Sequence, residues 1–284
     1  MSRCIQLARC GDWHTAPNPM VGAVVVHEGR IIGEGFHRAC GQPHAEVNAI
    51  RSVRETELLP HSTIYVSLEP CAHWGKTPPC ADLIIEKRIP RVVVGCRDPF
   101  SKVDGLGIKK LRDAGCEVVV GVLEEECREL NKCFFTYHEK HRPYIVLKWA
   151  QSSDGFIDRL REEGDGQTPV LFSTPLTMQT THHSRVTCEA IMVGGRTWRL
   201  DRPQLTARLW SGRQPRKVVV SGCSPQEKIA ELYREGVQSV LVEGGASVHQ
   251  QLIDAGLADE IWVETAPVAL GEGVKCARVN PKKM

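Results

Sequence analysis

Four residues constrain this chain most: His44, Glu46, Cys71 and Cys80. Imidazole nitrogen and thiolate sulfur are zinc ligands. A zinc centre that does chemistry takes three protein ligands and keeps its fourth position for water. To serve one ion, the three side chains must converge from separate parts of the chain, so the fold has to bring them together. The run His44-Ala-Glu46-Val-Asn-Ala-Ile50, after Pro43, reads as the start of a helix. Thr63 to Leu68 is β-branched and apolar, reads as a strand, and is stopped by Pro70 just before Cys71. Ala81 to Lys87 reads as a second helix, so Cys71 sits where a helix N-terminus favours thiolate.

Glu46 completes the set. Nucleobase deaminases carry a His-x-Glu on one helix and a Pro-Cys…Cys at the start of the next, with the glutamate moving protons rather than binding metal. A lone histidine or cysteine is more often a core residue; the ordered set of four points to zinc-assisted hydrolytic deamination. The usual pattern has two residues between the cysteines, whereas here there are eight. That inserted loop brings His73, Lys76 and Thr77 to the mouth of the site, groups suited to a phosphate or a polar heterocycle.

Composition narrows the class. With 284 residues, 42% of them hydrophobic and 25% charged, the chain has material for two ordinary domains. A net charge of +2 gives no basic field for nucleic acid. No segment resembles a signal peptide, and none approaches the ~20 apolar residues of a membrane span, so we expect a cytoplasmic protein acting on a small molecule, without nucleic-acid or membrane partners. The 12 cysteines are then expected to be reduced thiols. Cys4, Cys10, Cys96, Cys116, Cys127 and Cys188 are expected as small buried apolar groups.

Periodicity predicts a helix over 3–11, a hairpin of strands 21–26 and 31–36 turning at His27 to Arg30, and then alternating helices and strands. The last element of the first half reads as one helix over 124–138. The charged segment Glu139 to Pro143 marks a boundary, giving domains 1–140 and 143–284. In the second half, 158–168 reads as a polar surface loop and 194–213 as a long loop among further alternating strands and helices. Both halves are therefore expected to be α/β, with mainly parallel sheets covered by helices.

Larger motifs carry a resemblance. Glu69-Pro-Cys71-Ala-His73-Trp-Gly-Lys76-Thr77-Pro-Pro-Cys80 is similar to the signature of the bifunctional riboflavin-biosynthesis deaminase/reductases. So are Pro17-Asn18-Pro19-Met-Val21-Gly22, Gly33-Glu-Gly35-Phe-His37, Asp98-Pro99 and Gly105-Leu-Gly107. The resemblance implies a cytidine-deaminase-like α/β/α domain acting on 2,5-diamino-6-ribosylamino-4(3H)-pyrimidinone 5′-phosphate. It implies that Asn18 and His37 contact the ring, and that His73, Lys76 and Thr77 line the ribose phosphate.

The second half resembles the same family's dihydrofolate-reductase-like domain, which reduces the ribosyl group to ribityl with NADPH. The likeness rests on Lys148-Trp-Ala150 through Asp154-Gly155, on Arg185, on Thr197 to Arg208, and on Val242 to Gly245. It implies cofactor contacts from Ala150, Thr197, Asp201, Gly244 and Gly245. It implies substrate contacts from Lys148, Asp154, Arg185, Leu205, Arg208 and Glu243, with Arg185 and Arg208 clamping the phosphate. A glycine pair after a strand also lets backbone approach a phosphate closely.

The chain departs from that pattern in two places. Between Val220 and Ala230 the family carries several tens of residues more, and its closing strands beyond Gly273 are absent. The reductase-like domain is thus expected to be shortened, with exposed sheet edges and reliance on a homo-oligomer. An alternative reading keeps the deaminase and leaves the shortened half structural.

Overall fold

In the computed structural model we describe residues 1–74, 78–100, 103–164 and 166–279. They form two compact units, Met1–Lys140 and His141–Met284.

The first unit is built on a hairpin. Strands β1 (Gly22–His27) and β2 (Arg30–Phe36) pair antiparallel across Glu28 and Gly29. Both turn residues have positive φ, 46° and 76°, a conformation whose twist suits a two-residue hairpin. Helix α1 (Ser2–Arg9) precedes the hairpin and α2 (Ala45–Ser52) follows it. Then come β3 (Thr63–Leu68), α3 (Cys80–Glu86), β4 (Arg91–Cys96), α4 (Leu106–Asp113) and β5 (Glu117–Val120). Among the described residues the sheet has five strands in the order β2-β1-β3-β4-β5.

The expected mainly parallel sheet is here a mixed one. β1 runs antiparallel to both neighbours, while β3, β4 and β5 are mutually parallel. The reason is the connection: a β2–α2–β3 crossover makes β3 parallel to β2, and β1 lies between them. Alternate residues of the strands (Ala23, Val25, Ile64, Val66, Val92, Val94) face one way and are buried under α2 and α3 through Ala45, Ala49, Ile50, Ala81 and Ile84.

α2 rests directly on β2. A Cβ built on Gly35 would lie 2.3 Å from the Ala49 nitrogen and 2.7 Å from the Ala45 oxygen. Gly35→Ala should therefore cost about 1–3 kcal/mol through overpacking and lower the melting temperature. An unchanged melting curve would contradict this close approach.

The single helix expected over 124–138 is two, α5 (Glu124–Leu130) and α6 (Lys132–Lys140). Asn131 breaks them at φ −116°. Its side chain, with the residue 5% exposed, is paired with both backbone groups of Met20 at 2.8 Å. The helix interruption thus pins the Pro17–Met20 loop. Cys10, expected to be buried, is exposed because it caps the end of α1, and Cys116 is only partly covered.

The second unit runs β6 (Tyr144–Gln151), β7 (Phe156–Asp158), α7 (Pro175–Thr187), β8 (Ala190–Gly194), α8 (Gly195–Asp201), β9 (Arg216–Val220), α9 (Pro225–Arg234), β10 (Ser239–Val242), α10 (Ala246–Asp254), β11 (Glu260–Thr265) and β12 (Val274–Lys275). Among the described residues a five-stranded sheet has the order β11-β6-β10-β8-β9, every pair parallel. β7 and β12 form a separate antiparallel pair. The central strands are apolar on both faces, as a sheet covered by helices requires; Ile145, Leu147, Ile191, Met192, Val240, Leu241 and Val242 are all fully buried.

α9 starts with a reciprocal Ser224–Glu227 capping box and Pro225 in its first turn. Two loop expectations need correction. The stretch 194–213 begins with α8, which springs straight from β8. The segment 158–168 is not wholly on the surface: the Arg161 side chain is 3% exposed because it pairs with Asp158 and Asp201. No helix among the described residues is long and apolar enough to cross a membrane.

Candidate active sites

The first site assembles where β3 ends and two helices begin. His44 is the N-cap of α2, and Cys80 is the first residue of α3. Cys71 follows β3 and is held from downstream by Ala81 N–H on its carbonyl (3.1 Å) and Cys80 N–H on its sulfur (3.3 Å). His44 Nδ1 lies 3.7 Å from Cys71 Sγ and 3.3 Å from Cys80 Sγ. All three atoms fall within 4.8 Å of one another. Tetrahedral zinc with ordinary bond lengths separates N and S by about 3.6 Å, so the donor set fits that ion.

The two thiols act on each other: Cys80 is pushed up by its hydrogen bond to Cys71 and by burial, which leaves the thiolate on Cys71. Cys71 is pulled down to about 4 by hydrogen bonding from Cys80 and then from His44, against the opposing effect of burial. His44 is pushed up to about 9, chiefly by its hydrogen bond to Cys71. Glu46 is 3% exposed. Burial raises its carboxyl to about 7, and it reaches the Cys80 thiol by hydrogen bond. It is outside the ligand cluster. Three ligands beside a buried carboxyl poised near neutrality make a catalytic arrangement rather than a structural one.

The expected ring-contacting residues lie next to this cluster. The His37 ring stands edge-on to His44 with centroids 5.4 Å apart. His37 is 3% exposed, and both its nitrogens are engaged. Nδ1 is 3.2 Å from the Pro43 carbonyl, which can only accept, so Nε2 accepts from Asn18 Nδ2 at 3.1 Å. Asn18, half-buried, is thereby held with its amide orientation set by His37. Asn48 Nδ2 donates to the Phe36 and Pro43 carbonyls and secures the turn that leads into His44. Neither Asn48 nor Asn131 stood out in the sequence; each reads as a polar residue within a helix. His73 is exposed, its ring 6.2 Å from that of Phe100. Lys76 and Thr77 lie outside the described residues.

In the second unit a cavity of about 550 Å³ opens at the C-terminal ends of the parallel strands, and Lys148, Ala150, Thr197, Asp201, Glu243 and Gly245 line it. This is the end where open α/β sheets bind ligands. Gly245 turns with φ 77° and leads into α10, and a Cβ on Gly244 would press on Val193 at 2.9 Å. Lys148 is lowered by burial, while the nearby Glu243 and Glu264 act the other way.

The remaining expected residues are placed differently. Arg185 forks onto Glu243 at 2.7 and 2.5 Å and donates to the Thr206 carbonyl at 2.8 Å. Arg208 is exposed, and Leu205 is buried against Ile191 and Val193. Asp154 accepts from the backbone of Leu270 and Gly271 and from Ser152, which latches that loop. Arg161 and Cys223 also line the cavity; Arg161 escaped notice because its segment reads as a polar loop.

Comparisons with known proteins follow the same division. The profile of the cytidine and deoxycytidylate deaminase zinc-binding region matches residues 1–96. That of the RibD C-terminal domain matches residues 143–223 and 222–280. The riboflavin biosynthesis protein RibD of Aquifex aeolicus is 38% identical over 319 positions, covering 96% of this chain and 88% of the relative. RibD of Escherichia coli is 32% identical, covering 97% and 89%. A crystal structure from Thermotoga maritima superposes with a TM-score of 0.85 at 37% identity, covering 99% of this chain and 90% of that one. It is described as a diaminohydroxyphosphoribosylaminopyrimidine deaminase/5-amino-6-(5-phosphoribosylamino)uracil reductase.

Proposed function

The chain belongs to the RibD family of riboflavin-biosynthesis proteins, a bifunctional zinc deaminase and NADPH-dependent reductase, and from that premise we propose which of its residues carry the two reactions. The observation that carries the reading is the convergence of His44, Cys71 and Cys80 beside a buried, non-ligating Glu46.

The substrate of the first step is the phosphorylated diaminopyrimidine that the Thermotoga relative's description names. Zinc held by the three ligands supplies the Lewis acidity that makes water a nucleophile near neutral pH. Glu46 takes one proton from that water and passes it to the ring nitrogen as the C–O bond forms, then takes the second from the added hydroxyl and delivers it to the departing amine as the C–N bond breaks and C=O forms. Its elevated pKa suits both accepting and releasing. Asn18, oriented by His37, meets the ring edge, and His73 meets the ribose phosphate, a contact we also assign to Lys76 and Thr77.

The second unit would hold NADPH, whose hydride would reduce C1′ of the ribosyl group. As the C1′–O4′ bond breaks, its electron pair goes to O4′, which needs a proton. Lys148 Nζ is the donor we assign, since it lines the cavity and is lowered by burial. Thr197, Asp201 and the Gly244–Gly245 turn would hold the cofactor, and Glu243, kept in place by Arg185, would face the substrate.

We further propose that the second unit is internally shortened. β9 passes to α9 through Ser221–Ser224 alone, the RibD profile breaks at 222–223, and the Aquifex alignment spans 319 positions against 284 residues. We place boundaries near 140 and 143, and we expect a homo-oligomer, because the edge strand β11 leaves Trp262 39% and Val263 44% exposed. The lack of disulfides among the twelve cysteines, all within the described residues, fits a reducing, cytoplasmic setting.

Purified protein given the deaminated product should oxidise NADPH, read as falling absorbance at 340 nm. No oxidation by a sample that still releases ammonia would leave the deaminase and remove the reductase assignment.

A further inference from the structure

Glu69 is 4% exposed and immediately precedes Pro70 and Cys71. A buried carboxylate costs several kcal/mol unless it is compensated, and among the described residues backbone N–H groups compensate this one. Oε1 accepts from the Gly107 and Ile108 N–H groups at 3.0 and 3.1 Å. Oε2 accepts from Gly105 at 3.0 Å and from Asp98 at 3.4 Å. Gly105, Gly107 and Ile108 belong to the start of α4, where N–H groups lack intrahelical partners and negative charge is favoured. α4 has no side-chain cap of its own. Glu69 is thus a cap delivered from a distant strand end.

The helix start is also pressed onto the ligand loop. A Cβ on Gly107 would lie 1.9 Å from the Pro70 carbonyl oxygen, so only glycine permits the contact. Gly105 has φ 78°, which again favours glycine. The Gly105-Leu-Gly107 motif is explained by this docking. α4 fixes Cys71 from upstream, while α3 fixes it from downstream through Ala81 and Cys80. A second arm runs through Asp98, whose carboxylate accepts from Phe100 N–H at 2.8 Å, and the Phe100 ring meets His73.

We propose that Glu69 is a positioning residue for the deaminase centre: by capping α4 it sets the placement of the Cys71 ligand and, through Asp98 and Phe100, of His73. This rests on the reading of the first unit as a zinc deaminase. A carboxylate is required because four N–H groups converge on it. In Glu69→Gln one oxygen becomes an NH2 that faces two donors.

The test uses the full-length protein, with zinc affinity measured by chelator competition, the charge-transfer spectrum of the Co(II)-substituted form, and kcat and KM for ammonia release. In Glu69→Gln, zinc affinity and kcat should each fall about 10–100-fold, as losing an outer partner of a metal ligand does. KM should rise as well, because His73 loses its placement through Asp98 and Phe100, and the Co(II) band should shift. Glu69→Asp, which keeps the charge, should recover part of both losses. Gly107→Ala keeps the carboxylate but pushes α4 off Pro70, so it should reproduce the pattern and serves if Glu69→Gln does not fold. Normal zinc affinity, spectrum and kcat in folded Glu69→Gln or in Gly107→Ala, whatever the melting temperature, overturns the proposal. Wild-type protein that binds no zinc overturns the deaminase reading itself.

Discussion

Glu46→Gln should release ammonia about 10²–10⁴-fold more slowly than the wild type, the range expected when a general acid–base group is lost, and should keep its zinc. The substitution preserves the size of a side chain that is 3% exposed, so the helix packing of α2 is retained. It removes a carboxyl outside the ligand cluster, so the metal stays. What disappears is the carboxyl we assign as proton carrier, raised by burial to about 7, close to neutrality. Reduction of separately supplied deaminated product should be untouched, because that chemistry belongs to the second unit. Ammonia release and zinc content measured on one preparation check this. Wild-type rates in the variant would remove Glu46 from the mechanism.

Arg185→Met should unfold the second unit first and abolish NADPH oxidation. Arg185 and Glu243 are each 12% exposed and joined by a two-pronged pair. Removing one partner of a buried pair typically costs about 3–5 kcal/mol, because the other charge is stranded. The double change Arg185→Met with Glu243→Gln should restore much of the stability without restoring reduction, since Glu243 lines the cavity. Thermal unfolding followed together with the 340 nm assay separates the two effects. A single variant with the wild-type melting profile and undiminished NADPH oxidation would contradict the assignment. Deamination should survive in both variants.

Much of the first site was legible in the sequence because its chemistry is local. His44 and Glu46 lie two residues apart at a helix start, and Pro70 stops a strand just before Cys71, so the positions of the ligands follow from element boundaries. What was not legible depends on pairs far apart in sequence. Asn131 reads as an ordinary helix residue until it meets Met20 across 111 positions. Glu69 reads as part of a zinc motif, yet its bonds go to residues beyond 97. In the second unit the glycine turn and cavity-lining residues could be anticipated from strand ends, but the destination of the Arg185 fork could not. The sequence suggests a phosphate contact for Arg185; the fold adds a pair with Glu243, because burial demands that the charge be compensated. The strand directions of the first sheet were likewise hidden, since the crossover from β2 decides them and not the strand residues themselves.

The central claim is that one chain carries both reactions, and a single sample tests it. Purified protein is analysed for zinc and then given the diaminopyrimidine phosphate with NADPH, with ammonia and 340 nm absorbance followed together. Zinc should be bound, ammonia release should stop when it is removed, and NADPH oxidation should begin only after ammonia appears. Ammonia released in full by the metal-free protein, or released without any NADPH consumed, would contradict it.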